Sequence, residues 1–168
     1  TWFRRIPEED IAYNDITFAT PEIGIIVCEF GVIKRTQDGG DTWVEVPSPV
    51  ESSMTAVAFN SDNVGIAVGL GGVILKSTDM GNSWVQVAGQ KTPQHFWDVT
   101  YANDKWVSVG NKGIIAISED ARAENWTIQA LSNTELLWHV DIAPLSSKFI
   151  IVGGTQGYYE NGQWSYLF

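Results

Sequence analysis

Apolar residues in this chain come in short runs of five or six, many alternating with polar ones, and most runs end at Gly, Asn or Asp. A period of two puts successive side chains on opposite faces of an extended strand. The runs come in sets of four, here labelled a, b, c and d. One set reads TAVAF, GIAVG, GVILKS, SWVQV; the next reads WDVTY, WVSVG, GIIAIS, WTIQA; the last reads WHVDIA, FIIVGG, GYYEN, QWSYL. β-branched and aromatic residues joined by Gly, Asn and Asp turns predict antiparallel meanders.

The sets recur at a fixed distance. Trp2, Trp43, Trp84, Trp126 and Trp164 each open a d run, at spacings of 41, 41, 42 and 38. Val27, Val68, Val109 and Val152 keep the same phase. So do Ile16, Val57, Val99 and Val140, and so do Gly31, Gly72, Gly113 and, more loosely, Gly157. A four-stranded unit repeating at about 40 residues is the signature of a propeller blade. One blade cannot bury both of its faces, so blades must stack. The expected fold is all-β: a small β-propeller of four four-stranded antiparallel blades. Residues 1–168 form a single domain with repeats near 1–43, 44–84, 85–126 and 127–168.

The c–d turn carries the sharpest motif, Ser/Thr-x-Asp-x-Gly-x-x-Trp. Thr36, Asp38, Gly40 and Trp43 fit it, and so do Ser77, Asp79, Gly81 and Trp84. A third copy keeps Ser118, Asp120 and Trp126, loses the Gly and gains a residue. The Asp accepts hydrogen bonds from turn N–H groups, the Gly supplies a positive φ, and the Trp covers the hairpin. This is the Asp-box, or BNR repeat. The whole chain resembles BNR-like propellers, with the photosystem II stability/assembly factors and the BNR-like repeat proteins of phage tails and virions as the two similar branches. The chain is roughly half the length of the assembly factors and lacks their basic patch and a visible export signal.

The opening Phe3-Arg4-Arg5-Ile6-Pro7 resembles a sialidase signature, but TWFRRIP aligns with TWVEVP at 42–47. It reads as the end of a d strand. The only arginines are Arg4, Arg5, Arg35 and Arg122, too few and too scattered for a sialidase site. There are then five d-type runs for four a-b-c sets. The surplus strand, residues 1–7 with Trp2, Phe3, Arg4, Arg5 and Ile6, is a candidate for pairing at an edge, or marks an open arc.

Composition adds limits. A net charge of −10 opposes binding to nucleic acid. No run is long enough to insert in a membrane. The lone Cys28 sits in an apolar run, so a buried thiol is expected. His95 and His139 lack a third ligand, so neither metal nor other cofactor is expected. Asp15, Asp98 and Asp141 lie in a runs and read as a solvated channel rim. His95, Trp97, Trp106, Trp138 and His139 are the candidate binding face. The competing reading packs the tryptophans between blades, because Trp97, Val99 and Tyr101 alternate onto one face. The expected function is a non-catalytic binding or structural module working in a protein assembly, with a protein partner or further copies of itself, set in a phage virion or tail. An assembly factor like the photosystem II family is the alternative, and a glycan-binding, inactive sialidase-like propeller is a third. Localisation is left open.

Overall fold

A computed structural model describes residues 10–87, 92–131, 136–142, 148–154 and 156–166. The described residues form four antiparallel sheets of four strands, each strand paired with the next along the chain. Blade 1 is β1 (Tyr13–Phe18), β2 (Gly24–Cys28), β3 (Ile33–Thr36) and β4 (Val44–Val46). Blade 2 is β5 (Met54–Phe59), β6 (Gly65–Gly69), β7 (Ile74–Ser77) and β8 (Val85–Gln86). Blade 3 is β9 (Phe96–Ala102), β10 (Lys105–Gly110), β11 (Ile114–Ser118) and β12 (Thr127–Ala130). Blade 4 is β13 (Leu137–Ile142), β14 (Phe149–Gly153), β15 (Gln156–Glu160) and β16 (Gln163–Tyr166). The abcd reading therefore matches the strands, and the fold is the expected all-β propeller.

The b–c connections of blades 1 to 3 are tight turns that need glycine. Gly31 has φ of 75°, and a Cβ there would stand 2.0 Å from the Val50 carbonyl oxygen. Blade 4 differs. Gly157 lies inside β15 opposite Ile151, so it is a strand residue and not the equivalent of Gly31. The Trp164 ring covers it, where a Cβ would meet the ring at 2.3 Å.

Among the described residues, buried side chains form three clusters, one between each pair of successive blades. Ile25, Val27 and Ile33 of blade 1 meet Met54, Val57 and Leu75 of blade 2. Ile66, Val68 and Ile74 of blade 2 meet Phe96, Val99 and Trp106 of blade 3. Val107, Val109 and Ile115 of blade 3 meet Leu137, Val140 and Ile151 of blade 4. Alternation explains the arrangement in the second and third strands: Ala67 and Leu75 of blade 2 face the first core, while Ile66, Val68 and Ile74 face the second. Cys28 is fully buried, as its apolar run suggests.

Four blades with three cores leave two faces over. β1 packs on β5, β5 on β9 and β9 on β13, whereas β13 makes no such pair with β1. Repeat-equivalent residues show the consequence. Val57, Val99 and Val140 are 4–5% exposed, but Ile16 is 52% exposed. Met54, Phe96 and Leu137 are fully buried, while Tyr13 at the same register position is 46% exposed. At the other end Val152 is 39% exposed, where Val27, Val68 and Val109 are buried. The described residues thus form an open arc. The surplus strand proposed for Trp2 to Ile6 lies outside them.

Candidate functional site

Each inner strand carries a β-bulge near its start. The register slips between Tyr13 and Asp15, Met54 and Ala56, Phe96 and Asp98, and Leu137 and His139. The residue left over in each blade is Asn14, Thr55, Trp97 or Trp138. A bulge takes one side chain out of the alternation and re-aims it. All four line one pocket of about 390 Å³ on the concave side of the arc, with Glu29, Ser53, Leu70 and His139. Trp97 and Trp138 lie side by side in its lining, ring centroids 5.6 Å apart and planes tilted by 36°, and His95 meets Trp97 edge-on at 5.9 Å. This corrects the expectation that Trp97 shares a face with Val99: the bulge between them puts Val99 in the core and Trp97 at the pocket.

Polar groups stitch the inner strands together beneath the pocket. Asp15 accepts from its neighbour's N–H at Ile16, 2.8 Å, and from Val57 N in the next blade, 2.8 Å. Asp98 repeats this with Val99 N at 2.8 Å and Val140 N at 3.0 Å. Blade 2 has Ala56 in that place, and Thr55 instead donates its hydroxyl to the Phe96 carbonyl at 2.8 Å. Burial pushes the Asp98 carboxyl above its ordinary value, against the pull of the two N–H groups and of His139. His139 Nδ1 lies 3.3 Å from Asp98 Oδ2, with its ring otherwise exposed. The two aspartates are therefore clamps between blades rather than a solvated rim. Their backbone partners lie 42 residues away, which no local pattern discloses. His95 is also engaged: Gly71 N donates to its Nδ1 at 3.0 Å, and its own N–H donates to Asn111 Oδ1 at 2.7 Å.

Trp106 does not join the pocket. It is fully buried between blades 2 and 3, packs on Tyr101 at 4.8 Å and donates its indole N–H to the Ala121 carbonyl at 3.1 Å. The equivalent position in blades 1 and 2 is Gly24 or Gly65, over which the Phe18 or Phe59 ring lies. Blade 3 fills that space from the second strand, so Trp106 is a core residue and not part of a binding face.

The c–d turns sit at the opposite ends of the strands from the pocket. In the first, Thr36 Oγ1 donates to Asp38 Oδ1 (2.7 Å) and accepts from Gly40 N (3.0 Å). Thr42 donates its N–H and hydroxyl to Asp38 at 2.9 and 2.6 Å, and Trp43 Nε1 donates to the Gly40 carbonyl at 3.1 Å. Ser77, Asp79, Gly81, Ser83 and Trp84 repeat the network bond for bond. The Thr42 and Thr36 hydroxyls and the turn N–H groups hold the Asp38 carboxyl far below its usual value. At Asp79 burial pulls upward, but the bonds from Ser83 and Ser77 outweigh it and the net shift is downward. The third turn is looser: Ser118 Oγ reaches Asp120 Oδ2 at 3.2 Å, and the buried Ala123 takes φ of 54° in place of a glycine. Each later turn is tied to the preceding blade. Arg35 Nε donates to the Met80 carbonyl at 3.0 Å, and Asn60 Nδ2 donates to the Ala121 carbonyl at 2.8 Å. Arg35 is thereby committed to packing, away from the pocket.

The sequence profile of the photosynthesis system II assembly factor YCF48 matches residues 3–159. The chain belongs to this family. Among solved structures it is similar to YCF48 bound to D1 peptide, at 23% identity and a TM-score of 0.71, over 93% of this chain and 54% of that one. It is also similar to YCF48 from Cyanidioschyzon merolae, at 19% identity and 0.71, over 96% of this chain and 57% of that one. The WD40 beta propeller domain of Doa1 shares the fold at 12% identity and 0.71, over 94% of this chain and 54% of that one. The chain thus spans a little over half the length of these YCF48 structures. No curated protein matches it.

Proposed function

We propose that this chain is a non-catalytic, assembly-factor-type propeller that holds a segment of a partner protein in its concave pocket. The observation that carries the reading is the Trp97–Trp138 pair, aimed into the pocket by bulges at matching places in neighbouring blades. Paired aromatics with an apolar face and a polar tip serve as anchors for protein segments. Membership of the YCF48 family, and a relative that binds D1 peptide, favour a protein partner over a glycan and an assembly role over a virion or tail setting. Asp15 and Asp98 beneath the pocket are bound to backbone N–H groups of the next blade, and among the described lining residues Glu29 is the one carboxylate, so no carboxylate pair is poised for acid/base work. Glu29 at the pocket and the net charge of −10 favour a segment that pairs an aromatic or aliphatic side chain with a Lys or Arg.

The test is titration of the chain with overlapping synthetic peptides of D1, read by tryptophan fluorescence and calorimetry. Saturable binding is expected for a subset of peptides, and Trp138→Ala should weaken it by about tenfold or more. Failure of every peptide to bind, or equal binding by Trp138→Ala, overturns the reading.

A further inference from the structure

We infer that the seam between the first two c–d turns is a carboxylate-binding site, with Arg35 as the group that receives the carboxylate. The seam lies at the opposite ends of the strands from the tryptophan pocket and stands independently of it. Arg35 is only 9% exposed, yet among the described residues no carboxylate forms an ion pair with it. Its Nε–H donates to the Met80 carbonyl at 3.0 Å, which fixes the guanidinium between the turns of blades 1 and 2. Its Nη groups have no acceptor among the described residues. A charge this deep in protein calls for an opposite charge, and the planar fork of a guanidinium matches a carboxylate.

The next seam shows which group belongs there. Arg35 precedes Thr36 of the first Asp-box and Lys76 precedes Ser77 of the second, so the two cations are repeat equivalents. The Lys76 side chain, 12% exposed, meets the Glu124 carboxylate of the following c–d turn at 2.7 Å. Glu124 stands two residues before Trp126. In the turn that follows Arg35, the residue two before Trp84 is Asn82. Blade 3 thus brings a carboxylate to the cation of blade 2, whereas blade 2 brings an amide to the cation of blade 1. Arg35 and Asn82 line a cavity of about 350 Å³ with Gln37, Thr42, Val44 and Val46. The valines offer an apolar wall to a short aliphatic stem, and the Gln37 and Asn82 amides add donors beside the guanidinium. Asp38 and Asp79 spend their charges on bonds within their own turns, so neither neutralises Arg35. They repel further negative charge, which favours a single carboxylate over a doubly charged phosphate. A side chain or C-terminus of another protein and a free small acid share this chemistry.

The experiment follows the Arg35 Nε–H signal of the full chain by proton–nitrogen NMR, assigned from its backbone resonances, while sodium acetate replaces sodium chloride at constant ionic strength. A saturable shift is expected, with weaker binding of inorganic phosphate at neutral pH. Asn82→Glu, at an exposed position, supplies a carboxylate from within the chain as Glu124 does. It is expected to weaken acetate binding about tenfold or more and to raise the urea midpoint. Asn82→Gln is expected to bind acetate as the wild type does. Acetyl-Ala-Glu-Ala-amide and acetyl-Ala-Ala-Ala separate the sources. Tighter binding than acetate by the first assigns the site to a partner's acidic side chain, and by the second to a C-terminus; equal binding by all three assigns it to a free acid. Absence of a saturable shift with acetate and with both peptides overturns the inference. So does phosphate that binds more tightly than acetate, or acetate binding undiminished in Asn82→Glu.

Discussion

Asp38 and Asp79 accept bonds from hydroxyl and backbone donors within their own turns, and this sets how the turns respond to acid. Both carboxyls have folded values below the ordinary one. A depressed carboxylate adds stability above the usual carboxylate range and loses it as pH falls toward its folded value. The stability gap between wild type and Asp79→Asn is therefore expected to be full at neutral pH and to shrink below about pH 4, in urea melts run across pH. Asp98 has the opposite sign, because burial raises it. Its ionisation costs folding free energy as pH rises past the ordinary range and through the folded value. The advantage of wild type over Asp98→Asn should then fall between acid and neutral pH, and an advantage that grows over that interval would refute the assignment. The turn aspartates could be read from the sequence, since motif and partners lie within seven residues. The clamp at Asp98 could not, since its second donor, Val140, is in another blade.

At the scale of the strand, apolar alternation was enough to order sixteen strands and to set which faces meet. The alternation failed at one place per blade. A bulge inserts a residue without changing residue types, so a period of two carries no trace of it. That single slip moved Trp97 and Trp138 from the sheet faces to the pocket. Trp106 was misplaced for another reason: aromatic bulk in blade 3 comes from the second strand, where blades 1 and 2 have glycine. The cores predict an asymmetry between equivalent sites. Ile66→Ala opens a cavity in the core between blades 2 and 3 and is expected to cost about 2–5 kcal/mol in denaturant unfolding. Ile16→Ala, at an exposed position, should stay within about 0.5 kcal/mol.

For the molecule as a whole, stability is shared between neighbours. Blades 2 and 3 are each covered on both faces, while blades 1 and 4 are covered on one. In stacked repeats a unit covered on one face has one interface holding it and opens more readily. Hydrogen exchange at low protein concentration should show slower exchange in β6 and β10 than in β2 and β14. Equal protection in all four would mean that the outer faces of blades 1 and 4 are covered.

The aspartate clamps also give the arc a hidden parity. Blades 1 and 3 carry the clamp, and blades 2 and 4 carry Ala56 and His139 in its place. For the clamp alone, the repeating unit is a pair of blades, about 83 residues from Asp15 to Asp98. A circle with an even number of such blades keeps clamped and unclamped seams in strict alternation. An odd circle must somewhere set two unclamped seams, or two clamped ones, side by side. Lengthening this chain by a blade pair would preserve the rhythm, and adding a single blade would break it at one seam.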